Sequence, residues 1–306
     1  MNEKNILKVD NLSVSFSMYK GFFKKENLEV VHSLSLEVNS GEVVAVVGSS
    51  GSGKSILAHA VMGLLPKNAH MSGNITYRGE KLDEIKRSEL LGRKISFVPQ
   101  SVDYLDPVMK VGKQVQGVYS TKKRQEDLFG KYHLDKNVEE MYPFQLSGGM
   151  ARRVLVSSAM MESPELIIAD EPTPGLSVEM AMETLNHFRE MADNGAGVLL
   201  ITHDIDLALN VADKIAVFYA GTIIEIADTR DFINGGIELR HPYSRAFISA
   251  LPQNEFRAIE GVQPYAGIVK DGCSFANRCP KATDKCCGEI PIRSLRSGKV
   301  RCINAT

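Results

Sequence analysis

The sequence predicts an α/β fold: a mainly parallel sheet with an antiparallel β subdomain, a helical insert and a small Cys-rich C-terminal extension. Three observations lead there. Strand-length apolar runs at Glu42–Val47, Leu166–Ala169 and Val198–Thr202 alternate with helix-length segments, the pattern of a parallel sheet covered by helices on both faces. The first run opens directly into Gly48-Ser49-Ser50-Gly51-Ser52-Gly53-Lys54-Ser55, a phosphate-binding loop. The second closes on Asp170-Glu171, which sets two carboxylates at the carboxyl edge of a buried strand.

Taken in order, Ile6–Phe16 and Val30–Val38 alternate apolar and polar residues and read as strands. The basic and aromatic stretch Ser17–Glu29 between them reads as a hairpin loop on the rim rather than a binding patch. Residues 54–64 read as a helix ended by Pro66, and Asn74–Tyr77 and Ile95–Val98 as short strands. From Gln100 to Gln145 strong β runs give way to charged stretches and weak helical patterns, so this segment reads as a small helical insert. A helix over residues 148–162 and a strand over 165–170 follow. Val178–Ala192 is an amphipathic helix with Val178, Met182, Leu185, Phe188 and Ala192 on one side. Lys214–Tyr219 and Thr222–Ile226 read as a hairpin turned at Ala220-Gly221, and Gly235-Gly236 as a linker into the tail.

Composition narrows the function classes. The apolar content of 43 % supplies a sizeable core. With 36 basic and 37 acidic residues the net charge is −1, so no global field argues for nucleic acid or an anionic membrane surface. No apolar run approaches the roughly 20 residues that span a bilayer, and the N-terminus has no apolar signal core. A soluble, cytoplasmic chain is expected, with membrane association through a partner. All five Cys follow residue 272. Reducing cytosol disfavours disulfides, and the clustering points to a local metal or cluster site.

In the phosphate loop, glycines let backbone N–H groups converge on phosphate oxygens while the following helix points its N-terminus at the same anion. Lys54 is placed to reach the β- and γ-phosphates and Ser55 to ligand Mg2+. Asp170 would hold Mg2+ through water, and Glu171 would polarise the attacking water. His203, one residue past the next apolar strand, would contact the γ-phosphate. Leu146-Ser147-Gly148-Gly149-Met150 before a helix is a second anion-binding design. It makes sense if it caps a γ-phosphate held by a partner chain.

With that motif beside the phosphate loop, the chain resembles the ATP-binding subunits of ABC transporters over essentially its full length. The resemblance implies a P-loop ATPase working as a sandwich dimer, with ATP and Mg2+. It implies that Gln100 is the glutamine sensing Mg2+ and attacking water, and that Phe16, ending the first strand, stacks on adenine. The ATPase domain would cover 1–235, its helical subdomain at about 100–160 docking the permease.

Two departures refine this. Met150 stands where the signature usually has Gln, and after Tyr142-Pro143 it looks like the peptide and nickel importer branch. Ser177 stands where the family usually has the Asp that couples the two sites, which suggests an asymmetric heterodimer with a non-identical ATPase. The extension 236–306 begins with His241-Pro242-Tyr243-Ser244-Arg245, which resembles the mark of di- and oligopeptide importers. In that branch Cys273, Cys279, Cys286 and Cys302 would hold a [4Fe-4S] cluster, with Cys287 as a spare; zinc or free thiols are the alternatives. The resemblance implies two transmembrane permeases, an extracytoplasmic solute-binding protein, no nucleic acid, and a place at the cytoplasmic face of the membrane. Cargo is a di- or oligopeptide, or nickel or a metal chelate. The rivals are an exporter ATPase and a soluble ABC ATPase acting on ribosomes or DNA.

Overall fold

A computed structural model describes residues 4–20, 24–49, 51–117, 120–265 and 272–306. The chain begins with β1 (Asn5–Lys20), β2 (Lys24–Asn39), β3 (Val43–Val47), α1 (Lys54–Met62), β4 (Ala69–Tyr77), β5 (Glu80–Lys81), α2 (Glu84–Leu90) and β6 (Ile95–Val98). Helices α3 (Val111–Gln116), α4 (Lys122–Lys131) and α5 (Gly148–Ala159) come next. Then follow β7 (Leu166–Asp170), α6 (Val178–Asp193), β8 (Gly197–Thr202), α7 (Ile205–Val211), β9 (Lys214–Tyr219) and β10 (Thr222–Asp228). The tail holds α8 (Pro242–Ser249), β11 (Arg293–Leu295) and β12 (Gly298–Val300).

These elements form two compact units. One takes the chain up to Leu7, Val38–Val43 and Tyr77–Thr202; the other takes Lys8–Glu37, Val44–Thr76 and His203–Thr306. In the first, β6, β7 and β8 pair in parallel, Ile95 opposite Leu166 and Leu166 opposite Gly197. Every residue of β7 and β8 is buried, and each fully buried aliphatic side chain contributes about 1.5–3 kcal/mol. Helix α6 packs on β8, and α5 packs on β6, α3 and α4. The inward stripe of α6 is Ala181, Leu185, Phe188 and Ala192. Val178 is 70 % exposed instead of buried. It follows the cap Ser177 directly, and helical side chains tilt toward the N-terminus, which here leads off the helix end.

In the second unit β3 and β9 run parallel, and β9, β10, β12 and β11 continue antiparallel. The turn between β9 and β10 falls at Ala220-Gly221, as the sequence predicts, both with positive φ. Strands β1, β2 and β4 pair in a further sheet. Asn11 and Ser33, at φ 51° and 44°, shift the burial phase of β1 and β2 by one residue, as bulges do.

Four local expectations change. Most of Ser17–Glu29 is strand, not loop: Ser17 Oγ donates to Asn27 Oδ1 at 2.8 Å and Lys25 Nζ lies 5.6 Å from the Tyr19 ring. With both faces near solvent, the ribbon carries no apolar alternation to read. Gly21, Phe22 and Phe23 lie outside the described residues. Helix α1 ends at Gly63, in the left-handed conformation at φ 72°, before Pro66 is reached. Gly235-Gly236 is a packed turn rather than an open linker: a Cβ on buried Gly236 would stand 2.7 Å from Leu239. Finally, β11 and β12 bring the tail into register with β10, Glu225 opposite Val300.

Candidate active site

The phosphate loop lies in the second unit, between the fully buried β3 and α1. Its shape is enforced by glycine. A Cβ on Gly48 would stand 2.4 Å from the Phe218 carbonyl oxygen, and Gly51 and Gly53 take φ of 72° and 102°. Left-handed residues interspersed in such a turn aim backbone N–H groups into one concavity. Buried Lys54 donates to the carbonyl oxygens of Gly48 and Ser49 at 2.8 and 3.0 Å. Ser52 Oγ is buried with no hydrogen-bond partner among the described residues, an orphan that a phosphate oxygen would satisfy. Ser55 follows in the first turn of α1, and Ser50 lies outside the described residues.

Two other residues expected at the nucleotide belong to this unit. Phe16 is half-buried and lies inside β1, which runs on to Lys20, rather than at its end. His203 is exposed just past β8, and Asp204 beside it caps α7, accepting from Leu207 N at 3.0 Å.

The first unit holds the rest. Asp170 ends β7 and is buried, as is Glu171. Glu171 has φ 48° and donates its N–H to the Ile201 carbonyl at 2.8 Å. A non-glycine residue in this region is strained, and the strain falls on the expected base. Ser147 caps α5, accepting from Met150 N at 3.3 Å. Ser147 and Gly148 are exposed, with nothing within 4 Å of a Cβ at Gly148. Ser177 caps α6 in the same way, accepting from Met180 N at 3.4 Å.

Arg152, which sequence reasoning missed, joins these motifs. Its guanidinium donates to the carbonyl oxygens of Pro99 at 2.7 Å and Gln100 at 2.5 Å. Burial pushes its pKa down, against the opposing pull of Asp170 and Glu171. The signal was in the sequence: Arg152 shares one helical face with Leu155, Val156 and Ala159, all buried. The Gln100 side is exposed.

In the tail Cys286 and Cys302 are buried, Cys273 and Cys279 half-buried, Cys287 exposed, and all five are free thiols. Cys273, Cys279, Cys286 and Cys302 act electrostatically on one another. Burial pushes the Cys273 thiol up to about 11 and raises those of Cys279 and Cys302. Cys273 N donates to the Cys286 carbonyl at 2.8 Å, and His241 Nε2 lies 4.0 Å from Cys273 Sγ. Among the described residues no three His, Cys, Asp or Glu side chains form a group that could hold a metal ion. The donor set itself, four thiols with Cys287 left outside, suits soft metals.

Residues 31–174 match the family model "ABC transporter", and residues 224–286 match "Oligopeptide/dipeptide transporter, C-terminal region". The oligopeptide transport ATP-binding protein AppD of Bacillus subtilis is 32 % identical, with 97 % of this chain and 96 % of the relative covered. The dipeptide transport ATP-binding protein DppD of Escherichia coli is 34 % identical, with 95 % and 93 % covered. Among solved structures, the bacterial ABC transporter cassette MJ0796, a dimer, is 25 % identical with a TM-score of 0.65, covering 74 % of this chain and 99 % of that one. The same cassette is known in a post-hydrolysis state bound to ADP and Pi, also at 25 % identity and a TM-score of 0.65, with the same 74 % and 99 % covered.

Proposed function

This chain belongs to the ATP-binding subunits of ABC transporters, in the branch carrying the oligopeptide/dipeptide transporter C-terminal region, and we propose that it powers import of di- or oligopeptides through partner permeases. It is an ATPase. One observation carries the reading: a glycine-enforced phosphate loop and a peptide-transporter C-terminal region stand in one chain.

In the proposed site Lys54 and the N–H groups of residues 48–53 hold the β- and γ-phosphates, and Phe16 stacks on adenine. Ser55, Gln100 and, through water, Asp170 would hold Mg2+, which neutralises charge on the phosphate oxygens. Glu171 polarises the attacking water, and His203 steadies the γ-phosphate. The protein supplies position and charge rather than covalent chemistry. The corresponding signature motif of a second, non-identical ATPase caps the γ-phosphate bound here, and this chain's Ser147, Gly148 and Gly149 cap the one its partner holds. The functional division falls near residue 235, and helices at about 100–160 carry closure to two permeases, which are fed by a solute-binding protein.

Cys273, Cys279, Cys286 and Cys302 would hold a [4Fe-4S] cluster, supplying a staple for a segment poor in apolar residues. Among the described residues no helix is long and apolar enough to cross a membrane; attachment at the cytoplasmic face through the permeases is part of the proposal. The test is co-purification and reconstitution. Two permeases and ATP-driven uptake of labelled peptide are expected. Uptake of nickel alone, export, or co-purification with ribosomes or DNA would overturn it.

A further inference from the structure

The C-terminal extension reaches the phosphate loop. Ser49 Oγ donates to Gln263 Oε1 at 2.6 Å, across 214 positions of sequence. Ser49 is also the residue whose carbonyl oxygen accepts from Lys54 Nζ at 3.0 Å and from Ser52 N at 3.3 Å. Gln263 therefore holds the side chain of a residue on which the loop's internal contacts converge.

The segment that presents Gln263 is itself fixed. It has no regular secondary structure and is largely exposed, so it needs an anchor to hold one conformation. Arg278 supplies it. Its guanidinium donates to the Glu260 carbonyl at 2.7 Å, the Ile259 carbonyl at 3.0 Å and the Tyr219 hydroxyl at 3.1 Å. Its carbon stands 5.8 Å from the centre of the Phe275 ring. Gly261, at φ 77°, passes close over that side chain: a Cβ there would lie 3.4 Å from Arg278 Nε. Tyr219 in turn follows Phe218, whose carbonyl closes against Gly48. The contacts run from β9 through Arg278 and residues 259–263 back to the loop.

We propose that Gln263 is a positioning residue of the ATP site, pre-ordering the phosphate loop through Ser49, with Arg278 as the anchor of its segment. The proposal rests on reading Gly48–Ser55 as the ATP loop. Because the hydrogen bond orders the loop before nucleotide arrives, it acts on binding and leaves the chemical step alone.

The test uses the full chain in its assembled transporter, with MgATP as the probe. Gln263→Leu is expected to raise KM for ATP about three- to tenfold, the worth of one neutral hydrogen bond, at unchanged kcat. Gln263→Glu keeps an acceptor but sets a carboxylate beside the triphosphate site, so it should raise KM at least as much as Gln263→Leu, again at unchanged kcat. Ser49→Ala should match Gln263→Leu, the double variant should be no worse than either, and Arg278→Ala should reproduce the same rise. An unchanged KM in Gln263→Leu, additive effects in the double variant, or a fall in kcat alone would overturn the proposal. Should Gln263→Leu not assemble, Arg278→Ala decides it. An assembled wild type without ATPase activity would instead sink the ATP reading beneath it.

Discussion

Arg152 donates to the carbonyl oxygen of Gln100 at 2.5 Å, so the helix that Ser147 caps grips the backbone at Gln100. The same guanidinium feels Asp170 and Glu171.

Arg152→Ala leaves the Pro99 and Gln100 carbonyls without their donor and is expected to cost about 1–3 kcal/mol in denaturant unfolding. Arg152→Lys should recover only part of this, since an ammonium cannot present a planar fork to two carbonyls.

Glu171→Gln should keep ATP binding and cut turnover by about a hundredfold or more. Phosphate release and nucleotide binding, measured on the assembled complex, separate the two. Near-normal hydrolysis would remove Glu171 from the role of base.

Ser147→Arg fills the exposed start of α5 with a long cation. Nucleotide affinity of this chain's own loop should be unchanged, while ATPase activity of the assembly falls. Chromatography of the ATP-trapped dimer checks closure directly, and a dimer that still closes around the arginine would refute the shared-site reading.

Glu165 gives a pH signature. Lys94 at 2.5 Å, then Tyr77 and Arg78, hold its carboxyl down to about 2 from the ordinary 4.5. A carboxylate with a lowered folded-state pKa stabilises above its unfolded value and loses that contribution as pH falls. The stability advantage of wild type over Glu165→Gln should be full at neutral pH and shrink between 4.5 and about 2. Urea unfolding at several pH values tests this, and a constant difference would contradict it.

Anaerobically purified protein should contain iron and sulfide. Cys286→Ser should lose both and Cys287→Ser neither, because Cys286 is buried among the interacting thiols and Cys287 is exposed. Full zinc occupancy without iron would replace the cluster by zinc.

What the sequence determined by itself is local chemistry. Glycines at 48, 51 and 53, followed by Lys54, mark a backbone path that other residues could not follow, because side chains at those positions would clash or strain. A run of buried aliphatics can end in Asp170 only where a strand meets a polar edge. The hairpin at Ala220-Gly221 and the stripe of α6 are legible for the same reason: each depends on neighbours a few positions away. The tertiary structure alone decided what depends on distant partners. Buried Arg240, for instance, donates to Asp231 at 2.8 Å and receives no warning from its own neighbourhood in the chain. Strands β11 and β12, three residues each, exist because β10 offers an edge. Gln263 is an ordinary polar residue until the fold lays it against Ser49. Local motifs are written by steric and polar limits within a few residues, whereas long-range pairs are chosen by which surfaces the folded chain brings within hydrogen-bond reach.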